Sequence, residues 1–106
     1  MLDNLTLMER YKSKLDKEIE LTNERLKHIL DYHPEIEEYV GKFKEVLLNP
    51  SEIRISSSDK SVLLFHKAFD SIEAGRYLRV TVKINERWFI LTAYLTKRLV
   101  GRKYEQ

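Results

Sequence analysis

The sequence predicts an α+β fold in which N-terminal helices pack on one face of a four-stranded, mostly antiparallel sheet. Before Pro50 the apolar residues recur at helical spacing, whereas after Pro50 they form four strand-like runs separated by short polar turns. The turns between the last runs are too short for crossover connections, which favours antiparallel pairing. We therefore expect two layers, with helices on one side and a sheet on the other.

Length and composition indicate one compact domain spanning residues 1–106. Hydrophobic residues make up 42% and charged residues 34% of the chain, a balance that excludes disordered and fibrous classes. The absence of cysteine excludes disulfides, thiolate metal ligands and cysteine nucleophiles. No apolar run approaches the ~18–20 residues that cross a bilayer, and the first residues lack the pattern of a secretory signal. We therefore expect a cytoplasmic protein with no membrane partner.

Basic residues are concentrated in the last third of the chain. The net charge of +2 is too small to indicate nucleic acid by itself. From residue 76 onward, however, only Glu86 and Glu105 oppose the basic residues Arg76, Arg79, Lys83, Arg87, Lys97, Arg98, Arg102 and Lys103. This distribution would attract a polyanion, and it is equally consistent with an ordinary solvated surface.

The first third of the chain predicts a short strand followed by helices. Residues 1–15 form a variable segment in which "LMERYKSKL" is consistent with a short helix, and "KEIEL" is consistent with a short strand. A helix then begins in "LTNERLKHIL", with Thr22 as its N-cap. The segment "HPEIEEYVGKFKEVLLNP" gives the clearest helix, because Pro34 is tolerated in its first turn and Asn49-Pro50 ends it. Its apolar stripe is Ile36, Tyr39, Val40, Phe43, Val46 and Leu47.

The last two predicted strands have one apolar face and one polar face. In "RYLRVTVKI" the apolar face is Leu78, Val80, Val82 and Ile84, and the polar face is Tyr77, Arg79, Thr81 and Lys83. In "RWFILTAYLT" the apolar face is Phe89, Leu91, Ala93 and Leu95, and the other is Trp88, Ile90, Thr92, Tyr94 and Thr96. A tight turn near residue 85 then pairs Val82 with Phe89 and Arg79 with Thr92, because a slip of one residue would bury charge.

The polar face of this hairpin is a candidate RNA surface. Its cations would contact phosphates, and its aromatic rings would stack on unpaired bases. An antiparallel sheet with one solvated face carries the same residue types without any ligand. Both interpretations stay open on the pattern alone. His66 in mid-strand is more typical of a satisfied or surface histidine than of a catalyst, and no metal-binding or nucleotide-binding motif is present.

Three separated segments resemble a known group of nucleases. "IELTNERLKHILDYHPEI", "NPSEIRISSSDKSVLLFHK" and "GRYLRVTVKI" with "WFILTAYLTKRLVG" are similar to the small phage- and mobile-element-associated domains of the barnase/EndoU/colicin/RelE superfamily. The similarity covers residues 18–101, which would form the nuclease core. It implies a barnase- or RelE-like fold that cleaves RNA on the open face of its sheet, without a metal or other cofactor.

The resemblance also assigns roles to individual residues. His28 would be a general base or acid, and His33 would orient substrate or cap the helix. Arg54 and Lys83 would hold the scissile phosphate, and Thr92 and Tyr94 match polar positions of the last strand. The expected catalytic set is therefore His28, Lys83, Thr92 and Tyr94, and the expected substrate-binding set is Arg54, His33, Ser56, Arg79 and Trp88. Tyr32 departs from the family pattern, in which a basic residue commonly precedes "HPE".

The function expected from these observations is metal-independent RNA cleavage by 2′-OH transesterification, leaving a 2′,3′-cyclic phosphate. RNA, tRNA included, would be the substrate, and a toxin-type enzyme would have a cognate antitoxin protein as partner. The alternative is a non-catalytic RNA- or protein-binding module on the same fold. A structural or antitoxin-like partner protein is a third interpretation.

Overall fold

The chain forms one seven-stranded mixed sheet with its helices inserted between the second and third strands. The computed structural model describes residues 8–105. The strands are β1 Met8–Lys12, β2 Glu18–Thr22, β3 Glu52–Ile55, β4 Val62–Lys67, β5 Tyr77–Lys83, β6 Trp88–Thr96 and β7 Arg102–Lys103. Their order is β1-β2-β6-β5-β4-β3-β7, and β2 and β6 are the one parallel pair among the described strands.

The predicted four-stranded, mostly antiparallel sheet with N-terminal helices is therefore wrong. The four predicted strands are present as β3 to β6, but β1, β2 and β7 extend the sheet at both edges. The "LMERYKSKL" segment was ambiguous in sequence and consistent with a short helix, whereas its described part contains β1. Tyr11 pairs with Ile19 of β2, and Ile19 is fully buried. Pairing with a strand that buries its apolar side outweighs the weak local preference of β1.

Two α-helices flank a 3-10 helix on one side of the sheet. The α1 helix, Asn23–Tyr32, begins as predicted, because Thr22 Oγ1 accepts a hydrogen bond of 3.0 Å from the Arg25 amide. The next predicted helix is divided into a 3-10 helix, Pro34–Lys42, and α2, Phe43–Leu48. The apolar stripe is still buried where it was expected, through Ile36, Phe43, Val46 and Leu47. These side chains meet Phe65, Val80 and Ala93 of the sheet in one core.

A β-bulge in β6 changes the predicted register of the last hairpin. Thr81 pairs with Thr92 but Val82 pairs with Ile90, so Leu91 is the extra residue. Arg79 consequently lies opposite Tyr94, not opposite Thr92. Because the bulge shifts the alternation by one residue, fully buried Ile90 reaches the core while Phe89 turns to the opposite face, beside Lys83. The prediction that Phe89 and Leu91 share the core face with Ala93 was wrong.

The second face of the sheet is not open at its centre. Residues 97–101, here called the strap, connect β6 to β7 at the far side of β3. The strap lies against this face, because Arg79 Nη2 donates to the Arg98 carbonyl at 2.6 Å and Arg54 Nη1 donates to the Gly101 carbonyl at 2.9 Å. Thr81, 6% exposed, is buried as well. Within residues 8–105 no helix is long and apolar enough to cross a membrane.

Candidate functional site between α1 and β6

The α1 helix lies beside β6, and the two elements come together near both ends of α1. Arg25, in the first turn of α1, lines a hollow together with Phe89 of β6. At the other end of α1, the ring of His33 stacks on Tyr94 of β6. The β2 strand pairs with β6 only at Trp88 and Phe89, so α1 lies beside β6 from there onward. We call the surface along this contact the α1–β6 groove and define it by His33, Thr92 and Tyr94.

The contact between His33 and Tyr94 is the chemically most capable part of the groove. The two ring centroids are 5.2 Å apart, with 26° between the ring planes. The His33 side chain is 34% exposed, so solvent or a ligand can reach its ring. Glu35 Oε2 lies 3.7 Å from His33 Nδ1, so a carboxylate stands beside the ring. His33 therefore has the exposure and the neighbours that an acid–base group requires.

Arg79 positions the hydroxyl group of Tyr94 through a hydrogen bond. Arg79 Nη1 donates to Tyr94 Oη at 2.7 Å, and the guanidinium carbon lies 5.2 Å from the Tyr94 ring centroid. Since the hydroxyl oxygen accepts from a cation, its own proton is left to donate to a ligand. Among the described residues no carboxylate lies within ion-pair distance of Arg79, which is only 5% exposed. Its buried positive charge thus acts on the groove without a direct counter-ion.

His66 supports Arg79 from the neighbouring strand β4. Its Nε2 accepts a hydrogen bond of 2.8 Å from Arg79 Nε, while its Nδ1 is buried without a partner. Burial, followed by the positive charge of Arg79, lowers the pKa of His66 from 6.5 to about 4. His66 is therefore a neutral acceptor at neutral pH that holds Arg79 in place. The sequence favoured a satisfied or surface histidine, whereas the structure buries His66 with one ring nitrogen bonded and the other without a partner.

The structure brings together four of the residues that the sequence singled out. His33, Tyr94 and Arg79 are in direct contact with one another along one line, and Thr92 lies on the same face of β6 as Tyr94. His28 is exposed on the outer side of α1, where its ring meets Tyr32 edge-on at 4.9 Å between centroids. His28 lines a shallow hollow with other residues of α1, Arg25 among them, which places it next to the groove and not inside it.

Lys83 lies at the opposite end of the polar face and is already paired. Its Nζ is 2.9 Å from Asp59 Oδ2 and 2.6 Å from Ser61 Oγ. Hydrogen bonds from the Ser61 side chain and from Lys83 hold the pKa of Asp59 well below its usual range. These contacts fasten the turn between β3 and β4 to the end of β5. They leave the charge of Lys83 directed at Asp59, away from the groove.

Three other predicted substrate-binding residues lie outside the groove. Arg54 of β3 donates to Glu52 at 3.0 Å and to the strap. Ser56, just after β3, contacts Ser58. Trp88 pairs with Ile19 and packs against the core. The bulge is the cause, because it reverses the face of the sheet to which each residue of β6 before Leu91 points. The face assigned to Trp88 from the sequence was therefore wrong.

Sequence reasoning missed Phe89 and Arg25, which line the hollow at the other end of α1. The signal for Arg25 was its position one helical turn before His28, on the flank of the apolar stripe. Phe89 gave no such signal, since its face depends on the bulge. No cluster of three or more His, Asp or Glu side chains that could hold a metal ion occurs within residues 8–105. Searches for a matching family model, a matching curated protein and a matching solved structure found none.

Proposed function

We propose that this protein is a metal-independent endoribonuclease whose active site is the α1–β6 groove. The observation that carries the proposal is the line of contacts from exposed His33 to Tyr94 and from Tyr94 to buried Arg79. It joins an acid–base group, a hydroxyl donor and a positive charge, which are the elements needed to transfer a phosphoryl group. The resemblance to the barnase/EndoU/colicin/RelE superfamily supports the same reaction class.

The proposed reaction is an internal transesterification of RNA. A base takes the proton from a ribose 2′-OH, and the 2′ oxygen forms a bond to the adjacent phosphorus. The bond from phosphorus to the 5′ oxygen breaks with its electron pair, and an acid donates a proton to that oxygen. The products are a 2′,3′-cyclic phosphate and a 5′-hydroxyl end. No electron is gained or lost.

Each of the proposed site residues has a separate role in this reaction. His33 is one acid–base group, and a correctly placed histidine typically contributes ~10²–10⁴-fold. The second acid–base role is assigned to exposed His28, which lies on α1 outside the groove. The Tyr94 hydroxyl donates to a nonbridging phosphate oxygen, with Arg79 as its positioning residue and as a source of positive potential. Thr92, on the same face, is a further hydroxyl donor.

RNA, with tRNA as one substrate class, is the proposed partner, and the cytoplasm is the proposed location. A toxin role adds a cognate antitoxin that covers the groove. The alternative is an RNA-binding module, in which the same rings and charges hold single-stranded RNA without cutting it. Its support is that Arg79 uses Nε, Nη1 and Nη2 within the protein, which leaves none of these nitrogens unpaired for a phosphate.

The test is cleavage of labelled RNA in excess EDTA by the wild type and by the variants His33→Gln, His28→Gln and Tyr94→Phe. We expect losses of at least ~10²-fold for His33→Gln and about 10²-fold for Tyr94→Phe, with RNA affinity changed only a few-fold. Tyr104→Phe is the matched control, because it removes a tyrosine hydroxyl at β7, far along the sheet from β6. Cleavage that persists in both groove variants would place the active site elsewhere. RNA that is bound but not cut by the folded wild type would favour the binding module.

A further inference from the structure

The hollow lined by Arg25 and Phe89, at the end of α1 away from His33, has a volume of about 430 Å³. It lies between the last residues of β2, the first turn of α1 and the turn that joins β5 to β6. Its lining includes Glu20, Arg25, Asn85, Glu86, Arg87 and Phe89. The role proposed for His33 and Tyr94 does not use any of these side chains.

The charges in this hollow are balanced. Two cations, Arg25 and Arg87, and two carboxylates, Glu20 and Glu86, line it. One pair is in contact, with Arg87 Nη1 at 3.6 Å from Glu20 Oε2. Because its positive and negative charges are equal in number, this hollow does not attract phosphate, whereas the surroundings of Arg79 do. It suits a neutral group that can use both donors and acceptors.

The hollow offers one flat apolar surface and a polar edge. The ring of Phe89 is half-buried, so part of it faces the hollow, and aromatic rings are the surfaces on which unpaired bases stack. Beside it, the side chains of Asn85 and Glu86 are exposed and have no hydrogen-bond or ion-pair partner within residues 8–105. A carboxylate accepts hydrogen bonds from amino groups, and an amide both donates and accepts.

We propose that this hollow is a base-binding subsite that selects a nucleobase with an exocyclic amino group. The base stacks on Phe89, Glu86 accepts from its amino group, and Asn85 bonds its remaining edge. Uracil, which has no amino group, is the base this site rejects. The inference rests on the proposed function, since it assigns the hollow to the same RNA strand that is cut at His33 and Tyr94.

The geometry of β6 sets the distance between this subsite and the proposed reaction centre. Phe89 and Tyr94 lie five residues apart on the same face of β6. Because Leu91 is the extra residue of the bulge, they lie opposite Lys83 and Arg79, which are four residues apart on β5. At about 3.3 Å per residue, the separation is about 13 Å. A single strand lying in the groove would therefore place the selected base at a fixed offset from the cut and not next to it. Duplex RNA would not fit, because its bases are not free to stack on Phe89.

The test measures cleavage of oligouridylates that carry one adenosine, cytidine or guanosine at successive positions around a single labelled cleavage site. The wild type is expected to cut about tenfold faster when an amino-bearing base stands at one particular offset. Phe89→Leu keeps apolar volume and removes the ring face, and Glu86→Gln removes the charged acceptor. Both variants are expected to lose most of the preference while they still cut oligouridylate. Phe69→Leu and Glu105→Gln are the matched controls, and neither residue lines the hollow.

The outcomes separate this inference from the proposed function. Cleavage without a base preference, or with a preference that both variants retain, overturns the subsite and leaves the ribonuclease intact. If the wild type cuts none of these substrates, the proposed function fails. The subsite is then tested by comparing the binding affinities of the same oligonucleotides. A preference in affinity that Phe89→Leu removes would support it, whereas equal affinities or no binding would overturn it.

Discussion

Arg79 and Tyr94 show how single residues define the polar face of this protein. Alternation along β5 and β6 was sufficient to place Arg79 and Tyr94 on one face, because side-chain direction in a strand is a local property. Burial of Arg79 was not predictable in this way. It depends on the strap, whose path over the sheet is set by pairing between β7 and β3. Likewise, the sequence placed the cation Lys83 on this face, but it did not predict the contact of Lys83 with Asp59.

Protonation of His66 is expected to weaken the fold between pH 6.5 and pH 4. Its folded-state pKa of about 4 lies below the ordinary value of 6.5, so the unfolded chain binds more protons in this window. The stabilising contribution is complete above pH 6.5 and is lost as the pH falls, by up to about 3 kcal/mol. Nearby Glu52 opposes the shift, whereas Arg54 adds to it. Urea unfolding at pH 7, 5.5 and 4.5 measures this loss.

The matched variant for this prediction is His66→Gln. A glutamine amide oxygen can accept from Arg79 Nε in place of the imidazole, and it does not titrate. We expect the free energy of unfolding of this variant to depend less on pH between 7 and 4.5. An identical pH dependence in both proteins would show that His66 is not the titrating group.

Replacement of Lys83 by alanine is expected to lower stability and to spare RNA cleavage within a few-fold. Lys83 is bound to Asp59 and Ser61, so its removal loosens the turn between β3 and β4. Thermal unfolding and the EDTA cleavage assay, on the same preparation, measure the two effects. Lost cleavage with unchanged stability would instead restore the phosphate-binding role that the sequence suggested for Lys83.

At the scale of elements, the bulge in β6 decides which side chains enter the groove. Phe89, Leu91, Ala93 and Leu95 alternate without interruption, so the sequence predicted a regular strand. The bulge is instead set by the requirement that both Ile90 and Ala93, fully buried and three residues apart, reach the core. That requirement comes from the helices packed on the sheet, and no local pattern reports it.

Deletion of Leu91 is therefore expected to be tolerated, whereas deletion of Ala93 is not. Without Leu91 the ladder becomes regular and every remaining residue keeps its face, at a cost of about 1–2 kcal/mol for lost packing. Deletion of Ala93 would turn Tyr94 toward the core and Leu95 away from it, which would prevent folding. Circular dichroism and urea unfolding of the two deletions distinguish these outcomes. Equal damage from both would contradict the assignment of Leu91 as the extra residue.

The strap depends on a glycine at its last position. Gly101 has a φ of +87°, and a Cβ there would lie 2.3 Å from the Ile55 carbonyl oxygen. Gly75 has a nearly equal φ of +85° but open space around it. Gly75→Ala is therefore expected to cost about 1–2 kcal/mol for backbone strain alone. Gly101→Ala is expected to cost more and to displace the strap from Arg79. Urea unfolding of the pair compares them, and equal losses would show that the close contact with Ile55 is unimportant.

For the whole molecule, the sequence predicted a single α+β unit with four of its strands but not the seven-stranded mixed sheet. The segment "KEIEL" was expected to be a short strand and overlaps β2, but its parallel pairing with β6 was not predicted, and neither were β1 and the pairing of β7 with β3. Such pairings depend on the rest of the fold being in place, so short segments such as Arg102–Lys103 give no local signal. The candidate site shows the same limit. Thr92, Arg79 and Tyr94 were found because their neighbours in sequence indicate their faces. His33 was named only through the family resemblance, and the position of the adjacent helix α1 was set by packing.

The measurement that tests the central claim most directly is the chemistry of the RNA ends that the protein produces in excess EDTA. A single-site oligoribonucleotide, and a copy with a 2′-deoxyribose at the cut nucleotide, would be incubated with wild type and with His33→Gln, and the products weighed by mass spectrometry. We predict a 2′,3′-cyclic phosphate and a 5′-hydroxyl from the ribose substrate with wild type only, and no cut in the deoxy copy. Cleavage of the deoxy copy, or equal cleavage by His33→Gln, would contradict a transesterification centred on the α1–β6 groove.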